Sequence, residues 1–325
     1  MKKKYDVIIV NYNGKDIISR CIESIYKSEV LPQKIIIVDN ASSDSSVELI
    51  RKKFPHVLLV SKKTNLGFGR GNNEGMRHST APFILFLNND VILDKSCTKE
   101  LLGGFEKPEV AVLDPIIYKG WQKKKNQSLY AFGAQLSEAG FAYARYDDGT
   151  RDDLNNFSAA CCMARSDIFK KIKFEKRFFL YYEEPMLSVS LLKLGYKIGR
   201  IRQAKCYHLE SYSTPEKATA GVVFRQFYGV QNRFYMLAKH WPAGLLLKIL
   251  LIDILHLWYV IIFSLVHKKF SQGLRLIYLT PWQFIRGLAN RDQLSTVDFK
   301  WYTKLTKTPF KQYLSLGKKV FASED

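Results

Sequence analysis

The sequence predicts an α/β fold: a mostly parallel sheet with flanking helices, followed by a helical carboxyl-terminal region. Three observations carry this reading. Short apolar runs alternate with stretches whose apolar residues recur at helical spacing, the rhythm of βαβ units. Each apolar run up to Asp90 exits into a polar or glycine-rich turn. After Pro215 the alternation gives way to long aromatic and apolar stretches.

Val7 to Val10 is a first buried strand, and it leads into Asn11-Tyr-Asn-Gly14. Between Lys15 and Ser28, apolar residues at 17, 18, 21, 22 and 25 mark one face of a helix. Pro32 closes the loop, Lys34 to Val38 forms a second strand ending in Asp39-Asn-Ala-Ser-Ser-Asp44, and Ser45 to Phe54 reads as a second helix. Val57 to Val60 is a third strand. It is followed by the glycine-rich stretch Asn65 to Gly75, whose far end opens a helix toward His78. Phe83 to Leu87, five apolar residues behind Ala81-Pro82, is the fourth strand, and it ends in Asn88-Asn-Asp90.

In an open α/β sheet, ligands bind beyond the carboxyl ends of the strands. Asp90, at such an exit, is placed to hold a divalent metal against a phosphate. Asp39 is placed to accept a hydrogen bond from a pyrimidine ring N–H, and glycines 67, 69, 71 and 75 to let backbone amides approach a diphosphate. A plain polar turn is the alternative for Asn88 to Asp90 taken alone, but polar or glycine residues at four exits favour a site. The glycines follow the third strand, not the first, and their spacing is not a dinucleotide fingerprint, which argues against a dehydrogenase.

Further on, Val110 to Leu113 reads as a strand. Trp121 to Gln127 and Tyr146 to Asp153 are excursions that either fold over substrate or stay solvated, and Phe157 to Met163 is core. Glu183 and Glu184 precede Pro185 and a helix-compatible stretch. Proline favours the first helical position, which puts Glu184 at the cap, near the positive end of the helix dipole. There it serves either as a general base on an acceptor hydroxyl or only as a stabiliser of the helix end. Lys197 to Ile201 is a further strand, and His208 beyond it is positioned to complete a metal site with Asp90.

Composition bounds these readings. The formal charge of +20 predicts attraction to polyanions: nucleic acid, a nucleotide diphosphate or an anionic membrane. No recognisable nucleic-acid module is present and the charge is widely spread, so nucleic acid is not the expected partner. Five cysteines without a Cys-x-x-Cys pair predict buried free thiols in a reducing compartment. The run Val7 to Val10 is too short for a signal peptide, so a cytoplasmic catalytic part is expected.

With these residues in view, the chain resembles the family 2 glycosyltransferases, inverting enzymes of the Rossmann-like GT-A fold, and in particular the rhamnosyltransferase-like branch of bacterial surface-polysaccharide enzymes. The likeness is carried by Val10 to Gly14, Val38 to Asp44, Asn65 to Gly75, Leu87 to Asp90, Phe178 to Glu183 and His208, across residues 5–215. The resemblance implies that Asn11 and Asp39 bind the nucleoside of an activated sugar such as dTDP-rhamnose or a UDP-sugar, with Arg70 and Asn73 near its phosphates or ribose. It implies that Asn89 and Asp90 form the metal motif, with Asp90 the ligand to Mg2+ or Mn2+ and His208 joining it. The family commonly has Glu-Asp, then an Asp two residues on and later an Arg; here those positions hold Glu183-Glu184, Met186 and Ser190. The implied reaction is a direct displacement in which Glu184, or Glu183, takes the proton of the acceptor hydroxyl. The implied acceptor is a saccharide, polyprenyl-linked, at the inner face of the cytoplasmic membrane. The altered Glu-Asp motif motivates an alternative, a catalytically impaired protein that binds nucleotide sugar or partners at the membrane.

The expected division is a GT-A domain over 1–215 and a helical, membrane-interface region over 216–325. Gly221 to His240 reads as a helix. Gly244 to Val266 is apolar except for Lys248, Asp253, His256 and Ser264, which at about 100° per residue fall within a sector of roughly 160°. That favours a helix lying in the interface or docked on protein; a crossing stays open, because 23 residues are enough. Lys268 and Lys269, with Trp258, Tyr259, Trp282 and Trp301, suit an anionic leaflet, and a helical packing domain with a basic surface is the alternative.

Overall fold

The computed structural model describes residues 3–120, 129–131, 134–144, 153–209, 218–247, 249–250, 254, 258, 262, 270–291 and 305. The expected excursions at 121–127 and 146–152 lie outside the described residues, as do Lys248, Asp253, His256, Tyr259, Ser264, Lys268, Lys269 and Trp301. The described chain divides into two compact units. One comprises residues 1–135, 142–179 and 183–214; the other comprises 136–141, 180–182 and 215–325.

The first unit is built on β1 (Tyr5–Asn11), β2 (Ile35–Asp39), β3 (Leu58–Ser61) and β4 (Phe83–Asn88), ordered β4-β1-β2-β3 and all parallel. The crossovers are α1 (Ile18–Tyr26), α2 (Ser46–Lys53) and α3 (Phe68–His78). All five residues of β2 are buried, and β1 and β4 are nearly so. Strands covered on both faces have no polar side to show, which is why they read as unbroken apolar runs. Asp6 is the charged residue within β1, and its Oδ2 accepts from Ser79 Oγ, Thr80 N and Ala81 N at 2.8 to 3.0 Å, fixing the turn that feeds β4.

The other half of the sheet is mixed, a correction to the mostly parallel expectation. After β5 (Val91–Leu93) and α4 (Cys97–Gly103) come β6 (Val110–Lys119), β7 (Leu129–Ala131), the hairpin strands β8 (Ala134–Leu136) and β9 (Ala142–Ala144), β10 (Asp153–Leu154) and β11 (Cys161–Arg165). Then follow α5 (Ser166–Ile172), α6 (Glu183–Lys193) and β12 (Lys197–His208). The sheet continues from β4 through β11, β6 and β12 to β10. β11 runs antiparallel to both neighbours, while β6 and β12 are parallel. β6 is far longer than the expected four residues and holds Pro115 in its interior. A proline cannot donate to a ladder, and β12 accommodates it with a register shift between Ile201 and Lys205, opposite Pro115 and Ile116.

The glycines of the Asn65 to Gly75 stretch lie mostly inside α3, which starts earlier than expected. A Cβ on Gly71 would stand 2.9 Å from Val10 Cγ1, and one on Gly75 2.4 Å from Ile8 Cγ2, so these glycines let α3 close onto β1. The five cysteines are buried and free, as expected.

The second unit holds α7 (Ala218–His240), a helical turn at 243–247 and α8 (Phe270–Ala289). Gly287 lies against Ala238 and the Tyr235 carbonyl, and Phe234 meets Phe284 edge-on at 6.4 Å. Arg233, buried, bonds the Ala139 carbonyl and stacks its guanidinium 3.9 Å from the centre of Phe141. Tyr278, Trp282, Ile285 and Leu288 form an exposed apolar stripe on α8 at i, i+4, i+7 and i+10, and Leu247, Ile254, Trp258 and Ile262 are exposed as well. No helix among the described residues is long and apolar enough to cross a membrane.

Candidate active site

The exits of β1, β2 and β4 are tied by side-chain hydrogen bonds. Asn11 and Asp39 are register partners at the ends of β1 and β2, and Asn11 Nδ2 donates to Asp39 Oδ1 at 2.9 Å. Asp39 Oδ1 also accepts from Ser42 Oγ, and Oδ2 accepts from Ser42 N at 3.0 Å. A carboxylate offers about four lone-pair directions; three are taken within the protein, which leaves one for a ligand donor. Asn89 Nδ2 donates to Asn11 Oδ1 at 3.0 Å, joining the β4 exit to the other two. Gly14 makes room for that bond, since a Cβ there would stand 2.3 Å from Asn11 Oδ1 and 2.5 Å from Asn89 Nδ2.

Asp90 and His208 meet at the next step. β5 leaves the β4 exit and pairs antiparallel with the end of β12, in the register Val91 to His208, and Leu209 N donates to Asp90 O at 3.1 Å. That ladder sets His208 Nε2 3.0 Å from Asp90 Oδ1, both side chains being buried. A buried carboxylate oxygen beside an imidazole nitrogen is a donor set that Mg2+ or Mn2+ accepts. Among the described residues no group of three or more His, Cys, Asp and Glu gathers.

The glutamates open α6. The helix begins at Glu183, so both carboxylates lie in its first turn and Pro185 is its third residue, which corrects the expectation of Pro185 first and Glu184 at the cap. Glu183 is buried, its Cγ 3.2 Å from where a Gly69 Cβ would stand, so the glycine of α3 seats it. Gly67, at φ +80°, faces the Phe179 carbonyl, which also accepts from Phe68 N at 3.0 Å. Burial pushes the Glu183 carboxyl well above the usual range, and the Glu184 charge pushes it further. Glu184, half-buried, is raised chiefly by burial, with bonds from backbone amides, the Ala159 amide among them, acting the other way.

Sequence reasoning missed Asp114, on β6. It is buried, bonded by Ser158 N at 2.9 Å, and raised well above the usual range by burial and secondarily by the charge of Glu184. A lone acid inside the apolar run Val110 to Ile117 was the available signal, because a carboxyl in a buried strand needs a reason. Of the remaining expected residues, Asn73 is engaged within the fold: its Nδ2 donates to Phe174 O and its Oδ1 accepts from Phe174 N, at 2.9 and 3.0 Å. Arg70 is exposed on α3.

The mixed Rossmann-like sheet with flanking helices fits the GT-A fold. The model of Glycosyl transferase family 2 matches residues 6–173, more than half the chain, and the chain belongs to that family. It is 31% identical over 94 residues to the poly(ribitol-phosphate) beta-glucosyltransferase of Bacillus spizizenii, covering 27% of this chain but only 15% of that protein. It is 20% identical over 241 residues to the N-acetylglucosaminyl-diphospho-decaprenol L-rhamnosyltransferase of Mycobacterium tuberculosis, covering 64% of this chain and 76% of the relative. Among solved structures, the mannosyltransferase PcManGT of Pyrobaculum calidifontis, in complex with GDP-Man and Mn2+, superposes with a TM-score of 0.53 at 13% identity, over 98% of this chain and 81% of that one.

Proposed function

We propose that the protein is an inverting glycosyltransferase that moves a sugar, rhamnose being the leading choice, from a nucleoside diphosphate to a saccharide acceptor. The observation that carries the proposal is the 3.0 Å pairing of Asp90 with His208 beside the Asn11–Asp39–Asn89 chain of hydrogen bonds. The remaining lone pair of Asp39 accepts the ring N–H of a pyrimidine, and Asn11 and Asn89 hold that carboxylate and the β4 exit in one orientation. Asp90 and His208 hold Mg2+ or Mn2+, which when bound offsets the charge of the departing diphosphate. Arg70, exposed at the start of α3, adds a cation on the phosphate side.

Of the acids near α6, Glu184 is the base. Burial raises all three carboxyls, and the Glu184 charge adds to the shifts of Glu183 and Asp114, which supports Glu184 as the group that carries the charge. Acids whose environments push their pKa values apart take different roles. Glu184 accepts the proton of the acceptor hydroxyl as that oxygen attacks the anomeric carbon, and the carbon–oxygen bond to the diphosphate breaks with inversion.

A lipid-linked acceptor and attachment to the inner face of the cell membrane complete the reading. The exposed Tyr278–Trp282–Ile285–Leu288 face supports attachment: amphipathic aromatics and aliphatics suit an interface, and a chain of charge +20 is drawn to anionic lipid. The decaprenol-linked substrate in the name of the mycobacterial relative supports the acceptor class. The test is a panel of nucleotide sugars scored by thermal stabilisation, with and without Mn2+. One donor is expected to raise the melting temperature only with metal, and Asp90→Ala is expected to abolish that rise. Stabilisation by no donor, or equal stabilisation of Asp90→Ala, refutes the proposal.

A further inference from the structure

Tyr181 and Tyr182 immediately precede Glu183, and both have positive φ, +68° and +69°. L-residues with side chains avoid this left-handed region, and two in succession persist only where surrounding structure holds them. They also decide where α6 begins, because the chain turns from left-handed to helical conformation at Glu183. The aim of the two glutamates is therefore set by whatever holds residues 180–182.

That hold comes from α7. Residues 180–182 group with the second unit, although sheet-unit residues flank them on both sides in the sequence. Asn232, 3% exposed, donates from Nδ2 to two successive carbonyls, Leu180 O at 3.1 Å and Tyr181 O at 2.8 Å. One turn earlier on the same face, Gly229 lies under the Tyr182 ring, whose Cε2 is 3.7 Å from where a glycine Cβ would stand. A single amide group thus bridges consecutive carbonyls across the first left-handed residue. An aspartate of the same shape has no N–H to offer there.

We infer that Asn232 is a positioning residue, acting through the Leu180–Tyr182 backbone to set the direction in which Glu183 and Glu184 enter α6. The inference rests on the assignment of Glu184 as the base. Asn232 touches no reacting atom in this scheme, and its loss leaves the Asp39 and Asp90 sites unaltered. Its effect falls on the chemical step and not on donor binding.

The test compares full-length wild type, Asn232→Asp and Asn232→Ala by hydrogen exchange and by steady-state kinetics across pH. Asn232→Asp, being isosteric, serves if the alanine variant does not fold. The expected result is faster amide exchange at 181–186 with β1 and β2 unchanged, a kcat at least tenfold lower with the donor KM within threefold, and a shifted acid limb of the pH–rate profile. Unchanged exchange, or unchanged kcat and pH profile despite faster exchange, overturns the inference. A wild type that turns over no donor overturns it together with the sugar-transfer reading, whereas an active wild type with insensitive Asn232 variants overturns the inference alone.

Discussion

Gly14→Ala is a sharp probe of the strand-exit network, because it adds one methyl group where the structure has no room. The new Cβ would lie 2.3 Å from Asn11 Oδ1 and 2.5 Å from Asn89 Nδ2, so the hydrogen bond between them cannot survive. Both atoms belong to buried side chains. Leaving a buried donor or acceptor unsatisfied costs about 1–3 kcal/mol each, so the two together cost about 2–6 kcal/mol. The loss of chain flexibility on replacing glycine offsets only about 0.4–1 kcal/mol of that. The net expectation is a destabilisation of about 1–5.6 kcal/mol, with weaker nucleotide binding because Asn11 also holds Asp39. Gly103→Ala is the control: a Cβ there meets nothing within 4 Å, and in α4 it should gain up to about 1 kcal/mol. The assay is chemical denaturation followed by intrinsic fluorescence, with pyrimidine nucleoside diphosphate affinity measured on the same samples. A Gly14→Ala protein as stable as the Gly103→Ala control would refute the network as described.

Further outcomes follow from the buried acids and the exposed face. The Glu183 carboxyl has a folded pKa above its unfolded one, so the folded state binds more protons and stability falls as pH rises between the two values. Glu183→Gln should therefore melt higher than wild type at pH 8, with the gain vanishing near pH 4; a constant difference across that range contradicts the assignment. Asp6→Ala removes three accepted hydrogen bonds and should cost about 3 kcal/mol or more, read by the same denaturation assay. Tyr278→Ser with Trp282→Ser should cut sedimentation with anionic vesicles at least tenfold while leaving catalysis on a soluble acceptor intact, and unchanged sedimentation removes that face from the membrane proposal.

The elements most legible in the sequence were those whose physics is local. β1, β2 and β4 are buried on both faces, so they could only appear as apolar runs, and their exits had to be polar to leave the sheet. Asp39 and Asp90 were singled out on that basis, Asn11 and Asn89 through the family resemblance and His208 as the residue beyond a later strand; hydrogen bonds tie Asn11 to Asp39 and Asn89, and ladder register sets His208 beside Asp90. What depends on distant partners was not legible. The family resemblance implies that Asn73 lies near the donor's phosphates or ribose, yet it clamps Phe174, 101 residues away. The glycines of α3 read as a phosphate cradle because nothing local reveals that Ile8 and Val10 press against Gly75 and Gly71. Pro185 suggested the wrong helix start because the left-handed pair at Tyr181 and Tyr182 is held from α7. β6 was cut short at Asp114-Pro115, since only a shifted register in β12 tolerates a proline there.

The most direct measurement is the turnover number of Glu184→Gln beside its affinity for the donor. The variant should bind nucleotide sugar with metal as wild type does, yet transfer at a rate lower by about 10²–10⁴-fold, the usual contribution of a positioned general base. Transfer within threefold of wild type would contradict the account, because Glu184 is the base to which it assigns the acceptor's proton.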